Sequence, residues 1–349
     1  MASTTISSLA LWDAARVSMS RTQNQVGIAS QEVTTGRHYD VGIALGTDTS
    51  RAIDGRVIMA DMNAITAMNG VVGERLSAMQ ASLTGMLGLA RSLFAEAAQA
   101  GHAGVDRELF VQSARSKLET LQSLLSVTSN GSYAFSGTNS LTAPVADYLG
   151  DPPSAARSAV IGAFTAEFGI APDDPAVANL TGDQLKNFWG GSYASLFETP
   201  AWQSAFSNAT GDAITFRIGP AEYASYSTSA NDAGVRNLYS ALVAVIDAGT
   251  SEMSAEAFGA LAGLVAGAAG SAAADIARSQ GALGETQGRM TDANKRMETR
   301  LLALEKVVGG LEGVDQVEAS TRLNSLTTQL QISYAVTARM FKLSLLDYI

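Results

Sequence analysis

Apolar residues recur along the first segment of the chain at alternating steps of three and four. The members of this stripe are Trp12, Ala15, Met19, Thr22, Val26, Ala29 and Val33. Six of the seven are apolar, although several are small, and this heptad spacing predicts a weakly amphipathic helix.

Two longer stripes follow, one in each half of the chain. The first consists of Ile53, Val57, Ala60, Ala64, Met68, Val71, Leu76, Met79, Leu83, Met86, Ala90, Leu93 and Ala97. The second runs from Phe258 to Val308 at the same spacing. At 1.5 Å per residue these stripes predict helices of about 70 Å and 80 Å. Shorter helices are expected beside them, over 109–128 and 235–245.

The middle of the chain has a different composition. All seven prolines lie between Pro144 and Pro220, and long helices tolerate internal proline poorly. Short helices are expected there over 155–168 and 182–188, and AITFRIGPAEYASYSTS predicts a β-hairpin. Trp189 and Trp202 are expected to anchor a small local core.

Helices this long cannot bury their apolar stripes alone, so the first and last thirds of the chain must pair. The predicted fold class is mainly α: a long antiparallel helical rod or coiled-coil bundle from both chain ends, with a small α+β central insertion. The expected segments are an N-terminal assembly helix with a turn-rich stretch (1–48), the N-terminal half of the rod (49–140), the insertion (141–229), the C-terminal half of the rod (230–310) and a C-terminal assembly helix (311–349).

The last segment is apolar on two sides when it is drawn as a helix. Leu330 and Tyr334 fall on one side, whereas Ile332 and Val336 fall on the opposite side. The first helix can cover one side, and either the monomer's own core or a second chain must cover the other. We favour a second chain, because the segment is terminal. The predicted assembly interface comprises Trp12, Met19, Val26, Val33, Leu323, Leu326, Leu330, Ile332, Tyr334, Val336, Met340, Phe341, Leu343, Leu345 and Leu346.

Charge and composition exclude several functions. The formal net charge of −10 offers no basic excess for a nucleic-acid backbone. The chain has no cysteine, and MASTTISSLALWDAAR has no basic n-region or apolar h-region, so no cleavable secretory signal is expected. The stretch 257–274 is long enough to cross a membrane, but it is mostly Ala and Gly, and its Gly259, Gly263 and Gly267 equally suit close packing of two soluble helices.

No pattern indicates an enzyme, a metal site or a cofactor. His38 and His102 are the only histidines, and neither has metal-ligand spacing. Asp173 and Asp174 precede a proline, which is ordinary turn and helix-cap chemistry.

Three stretches resemble the flagellin superfamily: QEVTTGRHYDVGIALGTD, NGSYAFSGTNS and VDQVEASTRLNSLTTQLQISYAVTARMFKLSLL. The middle stretch, with Gly131, Tyr133, Phe135, Gly137 and Thr138, is similar to the "G-x-Y-x-F-x-G-T" signature of hook-filament junction (hook-associated) proteins. Asn130-Gly131 predicts a tight turn, after which Tyr133 and Phe135 are expected to point one way on a strand that Gly137 ends. The chain departs from many relatives in having no "P-S-D-D-P" run after the first helix.

The resemblance implies a structural flagellar subunit that assembles through its paired terminal helices and templates filament growth at the hook-filament junction. It also implies export through the flagellar type III apparatus, self-association, contacts with a neighbouring hook-associated protein and with flagellin, and an export chaperone. Filament flagellin is the alternative within the family, and a helical type III translocator acting on membranes is the alternative outside it.

Overall fold

The computed structural model of the chain describes residues 8–101 and 105–346, and side chains within 13–101 and 105–339. The chain forms two compact units. Unit 1 comprises Met1–Asn63 and Met297–Ile349, and unit 2 comprises Ala64–Arg296. The five-segment division expected from the sequence stays a prediction.

Helices make up most of the described chain. Their bounds are α1 Ser8–Thr35, α2 Val41–Leu45, α3 Thr49–Ala100, α4 Arg107–Leu125, α5 Ala155–Phe168, α6 Gly182–Phe188, α7 Ala194–Leu196, α8 Thr199–Ala205, α9 Ala233–Asp247, α10 Ala255–Glu312 and α11 Gln316–Leu346. The strands form two antiparallel pairs, β1 Thr128–Ser129 with β2 Ser132–Tyr133 and β3 Ile214–Gly219 with β4 Glu222–Tyr226. The predicted class, mainly α with long helices from both chain ends and a small α+β insertion, is confirmed.

Within unit 2, α3 and α10 run antiparallel. The Gln80 side chain donates to the Gln280 carbonyl at 2.8 Å, and the Gln280 side chain donates to Thr84 at 2.9 Å. The second half of the predicted α3 stripe is fully buried in the core of this unit, with apolar residues of α4, α9 and α10. Its members are Leu76, Met79, Leu83, Met86, Ala90, Leu93 and Ala97.

The first half of the same stripe is exposed, although the sequence predicted that it would be buried. Ile53, Val57 and Met68 are each more than half exposed. The buried side of α3 in unit 1 contains Ala52 and Gly55 instead, and a Cβ on Gly55 would lie 2.6 Å from Val308 Cγ2 of α10. Helices approach most closely where side chains are small, so α10 packs on the Ala and Gly side and leaves the β-branched side uncovered.

The glycines of α10 do not form the close helix contact that their spacing suggested. Gly259, Gly263 and Gly267 have no neighbouring atom within 4 Å of an added Cβ, so no helix packs on them in the described chain. The close approach occurs at Gly234 of α9, where a Cβ would lie 2.8 Å from Ile276 Cγ1 and 2.9 Å from the Ile276 nitrogen. By length and composition alone α10 could span a membrane, but its large side chains here pack into the core of unit 2.

The insertion folds as the sequence predicts. Helices α5 and α6 have the expected bounds, and β3 with β4 forms the expected hairpin. Trp202 is fully buried, stacks on Phe206 with ring centroids 5.2 Å apart and donates its indole N–H to Asn231 at 3.0 Å. Trp189 is only half-buried, with its ring 5.2 Å from that of Tyr193. The local core therefore centres on Trp202.

Two glycine substitutions test this packing. Gly234→Ala should lower the free energy of unfolding by about 1–3 kcal/mol, because the added methyl group meets the α10 backbone as well as a side chain. The matched control, Gly263→Ala, adds the same methyl group in open space and should raise it by about 0.5–1 kcal/mol. Urea unfolding of the full chain measures both values. Equal effects of the two substitutions would contradict the packing described for α9 and α10.

Candidate assembly surface

Within unit 1, α1 and α11 form an antiparallel pair. Gln23 of α1 donates to the Tyr334 hydroxyl of α11 at 2.7 Å, and Arg322 lies 3.6 Å from Glu32. Several hydroxyl side chains on these two helices bond their own backbone one turn earlier, as Thr34 and Thr327 do. Apolar contact therefore holds most of the pair together.

The α1 side of the pair follows the predicted heptad stripe. Thr22 and Ala29 are buried, whereas the larger Met19, Val26 and Val33 are half-buried. Small residues lie at the line of closest approach and let the two helices pack closely. The larger side chains flank that line, and one partner helix covers only part of each.

The α11 side shows the same pattern. Ala319 is buried, and Leu323, Leu326 and Leu330 are half-buried. These three leucines belong to the side of α11 that α1 covers. Their predicted role in assembly stays a prediction.

The remaining described members of the predicted interface are exposed. Ile332 is 59% exposed, Val336 50% and Tyr334 47%. Tyr334 was expected on the same side as Leu330, but its ring lies at the edge of the pair, where Gln23 binds its hydroxyl. Six side chains lie outside the described residues: Trp12, Met340, Phe341, Leu343, Leu345 and Leu346.

Exposed apolar residues are concentrated in unit 1, which is half as long as unit 2. Among the described side chains it holds thirteen of the twenty exposed large apolar ones. They are Val17, Ile28, Tyr39, Ile43, Ile53, Val57, Ile58, Leu302, Val307, Val317, Ile332, Tyr334 and Val336. Single exposed apolar residues are ordinary on a protein surface, but such a concentration is typical of an interaction surface.

The turn of the Gly131–Thr138 motif (GSYAFSGT) has the predicted geometry, but its strand does not. Asn130 and Gly131 have φ of +50° and +76°, as a tight hairpin turn requires, and they connect β1 to β2. β2 ends at Tyr133, which is half-exposed, whereas Phe135 lies in the following turn and is fully buried. The two rings therefore do not share one side of a strand.

An arginine of α3 binds the backbone at the end of β2. The Arg75 guanidinium donates to the carbonyls of Tyr133 and Ala134 at 2.9 and 3.1 Å. The Ala134 N–H still donates to the Val127 carbonyl at 2.9 Å, so one hydrogen bond joins the two chain segments beyond the end of β2. No pattern in the sequence connects Arg75 with residues nearly sixty positions away.

The rest of the motif closes the base of the insertion. The Phe135 carbonyl accepts from the Ala230 N–H at 2.9 Å, and the Ser136 carbonyl accepts from the Thr210 N–H at 3.2 Å. The Thr138 N–H donates to the Thr210 hydroxyl at 2.8 Å. The motif therefore ties the chain entering the insertion to the chain leaving it.

The residues considered for catalysis have structural surroundings. Asp174 accepts from the Ala176 N–H at 2.8 Å and caps a short helical turn, as predicted. His38 Nδ1 lies 3.9 Å from a Glu32 carboxylate oxygen, and His102 lies outside the described residues. Within the part of the chain that the structure describes, no three metal-binding side chains come together.

These features define a helical subunit whose paired chain ends carry an uncovered apolar surface. A family model described as the bacterial flagellin N-terminal helical region matches residues 6–140, and one described as the bacterial flagellin C-terminal helical region matches residues 266–349. Together they cover more than half of the chain. The chain belongs to the bacterial flagellin superfamily and is a structural subunit of the flagellum.

A solved structure gives the same fold. It is described as a flagellar hook-associated protein from Vibrio parahaemolyticus, with a TM-score of 0.50 and 10% sequence identity. The similarity covers 76% of this chain and 97% of the other. At this identity the likeness concerns the fold alone. No curated protein sequence matches the chain.

Two glycines of the motif test its role in closing the insertion. Gly137 has φ of +63°, and a Cβ there would lie 2.7 Å from the Thr210 carbonyl oxygen, whereas Gly131 at +76° has open space around it. Gly131→Ala should cost about 1–2 kcal/mol of unfolding free energy from backbone strain alone. Gly137→Ala should cost about 1–3 kcal/mol more, because a clash with backbone is added. Chemical unfolding of the full chain measures the difference, and equal costs would show that the contact with Thr210 is not tight.

Proposed function

We propose that this chain is a hook-filament junction protein, which assembles through its paired terminal helices and templates growth of the filament. The motif Gly131–Thr138 supports the junction role over a filament role, because it is similar to the signature of junction proteins. Membership of the flagellin superfamily supports a structural role in the flagellum.

The uncovered apolar surface of unit 1 is the observation on which the proposal rests. Ile332 and Val336 lie one turn apart on α11, and both are exposed although α1 covers another side of the same helix. Fully burying a side chain of this size contributes about 1.5–3 kcal/mol. A neighbouring subunit that covers this side of α11 gains that energy, and the isolated chain does not.

The proposed assembly surface extends beyond the terminal helices. Ile53 and Val57 lie one turn apart on the uncovered side of α3, and Leu302 and Val307 are exposed on α10. All four belong to unit 1. Because most of this surface is apolar rather than charged, assembly should depend little on salt.

The partners follow from this role. The chain contacts further copies of itself in a ring or helical layer, a neighbouring hook-associated protein on one side and flagellin on the other. It reaches the flagellum through the type III export apparatus, with the help of an export chaperone. The proposed location is the junction between hook and filament.

Filament flagellin is the second candidate. The absence of the "P-S-D-D-P" run leaves this role open, and membership of the flagellin superfamily is compatible with both roles. Deletion of the gene separates the two roles, because the junction protein is needed before filament growth begins. We expect electron microscopy of the deletion strain to show hooks without filaments and flagellin in the medium. Hooks that bear an intact filament would exclude the junction role, and normal hooks with only this subunit missing from the filament would indicate a filament role.

The translocator alternative rests on the apolar stretch of α10. Leakage of liposomes at neutral pH by the purified chain would favour that alternative. The burial of Phe258, Leu261 and Val265 in the core of unit 2 argues against it, because insertion would require that core to open.

One substitution tests the exposed side of α11. Ile332→Asp should change the melting temperature of the monomer little, because the side chain is already 59% exposed. It should reduce incorporation into flagella about tenfold or more, since an unpaired buried charge costs several kcal/mol and each 1.4 kcal/mol is a factor of ten. Quantitative immunoblotting of isolated flagella measures incorporation.

Asn324→Asp is the matched control, since it adds the same charge at an exposed polar position two turns earlier on the same helix. It should assemble like the unmodified chain. A lowered melting temperature for Ile332→Asp would place the residue in the monomer's own core. Normal incorporation of Ile332→Asp would remove this side of α11 from the interface.

A further inference from the structure

Two turns from opposite ends of the sequence meet within unit 1. Gly36, which follows α1, accepts from the Val314 N–H at 3.0 Å, and the Glu312 carbonyl accepts from the His38 N–H at 2.9 Å. Arg37 and Gly313 thereby form an isolated antiparallel bridge. We call this meeting point the root of the terminal helices, because α1 ends here and α11 begins two residues later.

Both turns need glycine. Gly36 has φ of +68°, in the left-handed region that other residues avoid. A Cβ on Gly313 would lie 2.7 Å from the Gly309 carbonyl oxygen. The backbone geometry of the root is therefore specified by the sequence on both sides.

A buried carboxylate lies beneath this bridge. Glu312, the last residue of α10, is 0% exposed. Its Oε2 accepts from Arg56 of α3 at 2.6 Å and lies 3.5 Å from Arg37 Nη1. The hydrogen bond with Glu312 raises the pKa of the Arg56 guanidinium. One carboxylate thus binds the end of α10 to α3 and to the segment after α1.

A second buried carboxylate also lies close to an arginine of another helix, one turn before Gly36 on α1. Glu32 of α1 is buried and lies 3.6 Å from Arg322 of α11 and 3.9 Å from His38. Its Oε1 also accepts from the Tyr39 N–H at 3.2 Å. The two carboxylates and their arginines therefore connect α1, α3, α10 and α11 at one place.

The cluster of Glu32, Glu312 and their arginines contributes little net stability. Glu312 Oε1 is buried and has no hydrogen-bond partner among the described residues, and desolvation of such an atom opposes folding. Buried ion pairs contribute little net stability compared with apolar residues, and their best-attested use is to select one arrangement among several. Apolar contact along α1 and α11 allows sliding and rotation, whereas this cluster has a single geometry.

We propose that Glu312 is a positioning residue: through Arg37 and Arg56 it fixes the direction in which α1 and α11 leave the neighbouring ends of α3 and α10. The apolar sides of the terminal helices then face neighbouring subunits at a defined angle. The proposal concerns the single chain and holds whether the subunit serves in the junction or in the filament.

Distance measurement by pulsed electron spin resonance tests this directly. The chain has no cysteine, so Gln31→Cys and Asn63→Cys, both at exposed positions of unit 1, accept spin labels without background. In the full-length monomer we expect one narrow distance distribution. Glu312→Gln should broaden it, because the neutral amide no longer holds Arg37.

Glu305→Gln is the matched control, because it removes the same charge from an exposed position of the same helix, and it should leave the distribution unchanged. Arg37→Gln changes a mostly exposed side chain that the fold tolerates, and it should broaden the distribution like Glu312→Gln. Arg37→Lys keeps the charge and should retain the narrow distribution. The thermal midpoint should fall in Glu312→Gln, because the hydrogen bond from Arg56 is weakened, but it should stay the same in Arg37→Gln, Arg37→Lys and Glu305→Gln. A broadened distribution in Arg37→Gln at an unchanged midpoint is what a purely stabilising role would not predict.

Two results would overturn the proposal. One is a distribution in Glu312→Gln and Arg37→Gln as narrow as in the parent chain. The other is a broad distribution in the parent chain itself, since the cluster would then fix no direction. Neither result bears on the junction role, which the deletion strain tests separately.

Discussion

Two paired helices cannot cover apolar residues that lie on more than one side of each helix. The α1 and α11 pair satisfies this constraint only in part: Ala29 and Ala319 are buried at the line of closest approach, while Leu330 is half-buried and Ile332 is exposed. The free energy available from burying the remaining apolar surface is left for another chain. The composition of unit 1 therefore fits the proposed assembly better than it fits the stability of the monomer.

In unit 2, the helices cover one another's apolar residues within the single chain. The helices α3, α4, α9 and α10 surround one another, so the apolar residues of α9 are buried on every side and Leu238 and Leu242 are fully covered. The insertion adds its own aromatic core around Trp202, and the motif from Gly131 to Thr138 closes the base of the insertion. One chain thus combines a self-sufficient unit with a unit that exposes much of its apolar surface.

Periodicity predicted the helices well because long stripes have a strong signal. The bounds of α5 and α6 and the hairpin of β3 with β4 also came from the sequence, through local proline, glycine and β-branched residues. Periodicity could not decide between two stripes on one helix. On α3 the larger residues Ile53 and Val57 looked like the core side, but α10 approaches the smaller Ala52 and Gly55. The choice depends on how closely two helices pack, which is a tertiary property.

Contacts between distant residues were equally out of reach. Nothing in the sequence connects Arg75 with the carbonyls of Tyr133 and Ala134, or Glu312 with Arg37 and Arg56, because these residues are distant in sequence and meet only in the folded chain. The described assembly residues predicted on α11 fall on two different sides of that helix, one covered by α1 and one open. The spacing of apolar residues along α11 indicates both sides, but it does not decide which of them α1 covers.

Amide hydrogen exchange tests most directly whether the chain ends complete their burial only on assembly. In dilute monomer, the amides of 323–336 should exchange far faster than those of α9, because the first group lies in a two-helix pair with one open side. In assembled flagella the same amides should become strongly protected. Protection of 323–336 in the monomer equal to that of α9 would contradict the account, since the terminal helices would then belong to a closed core.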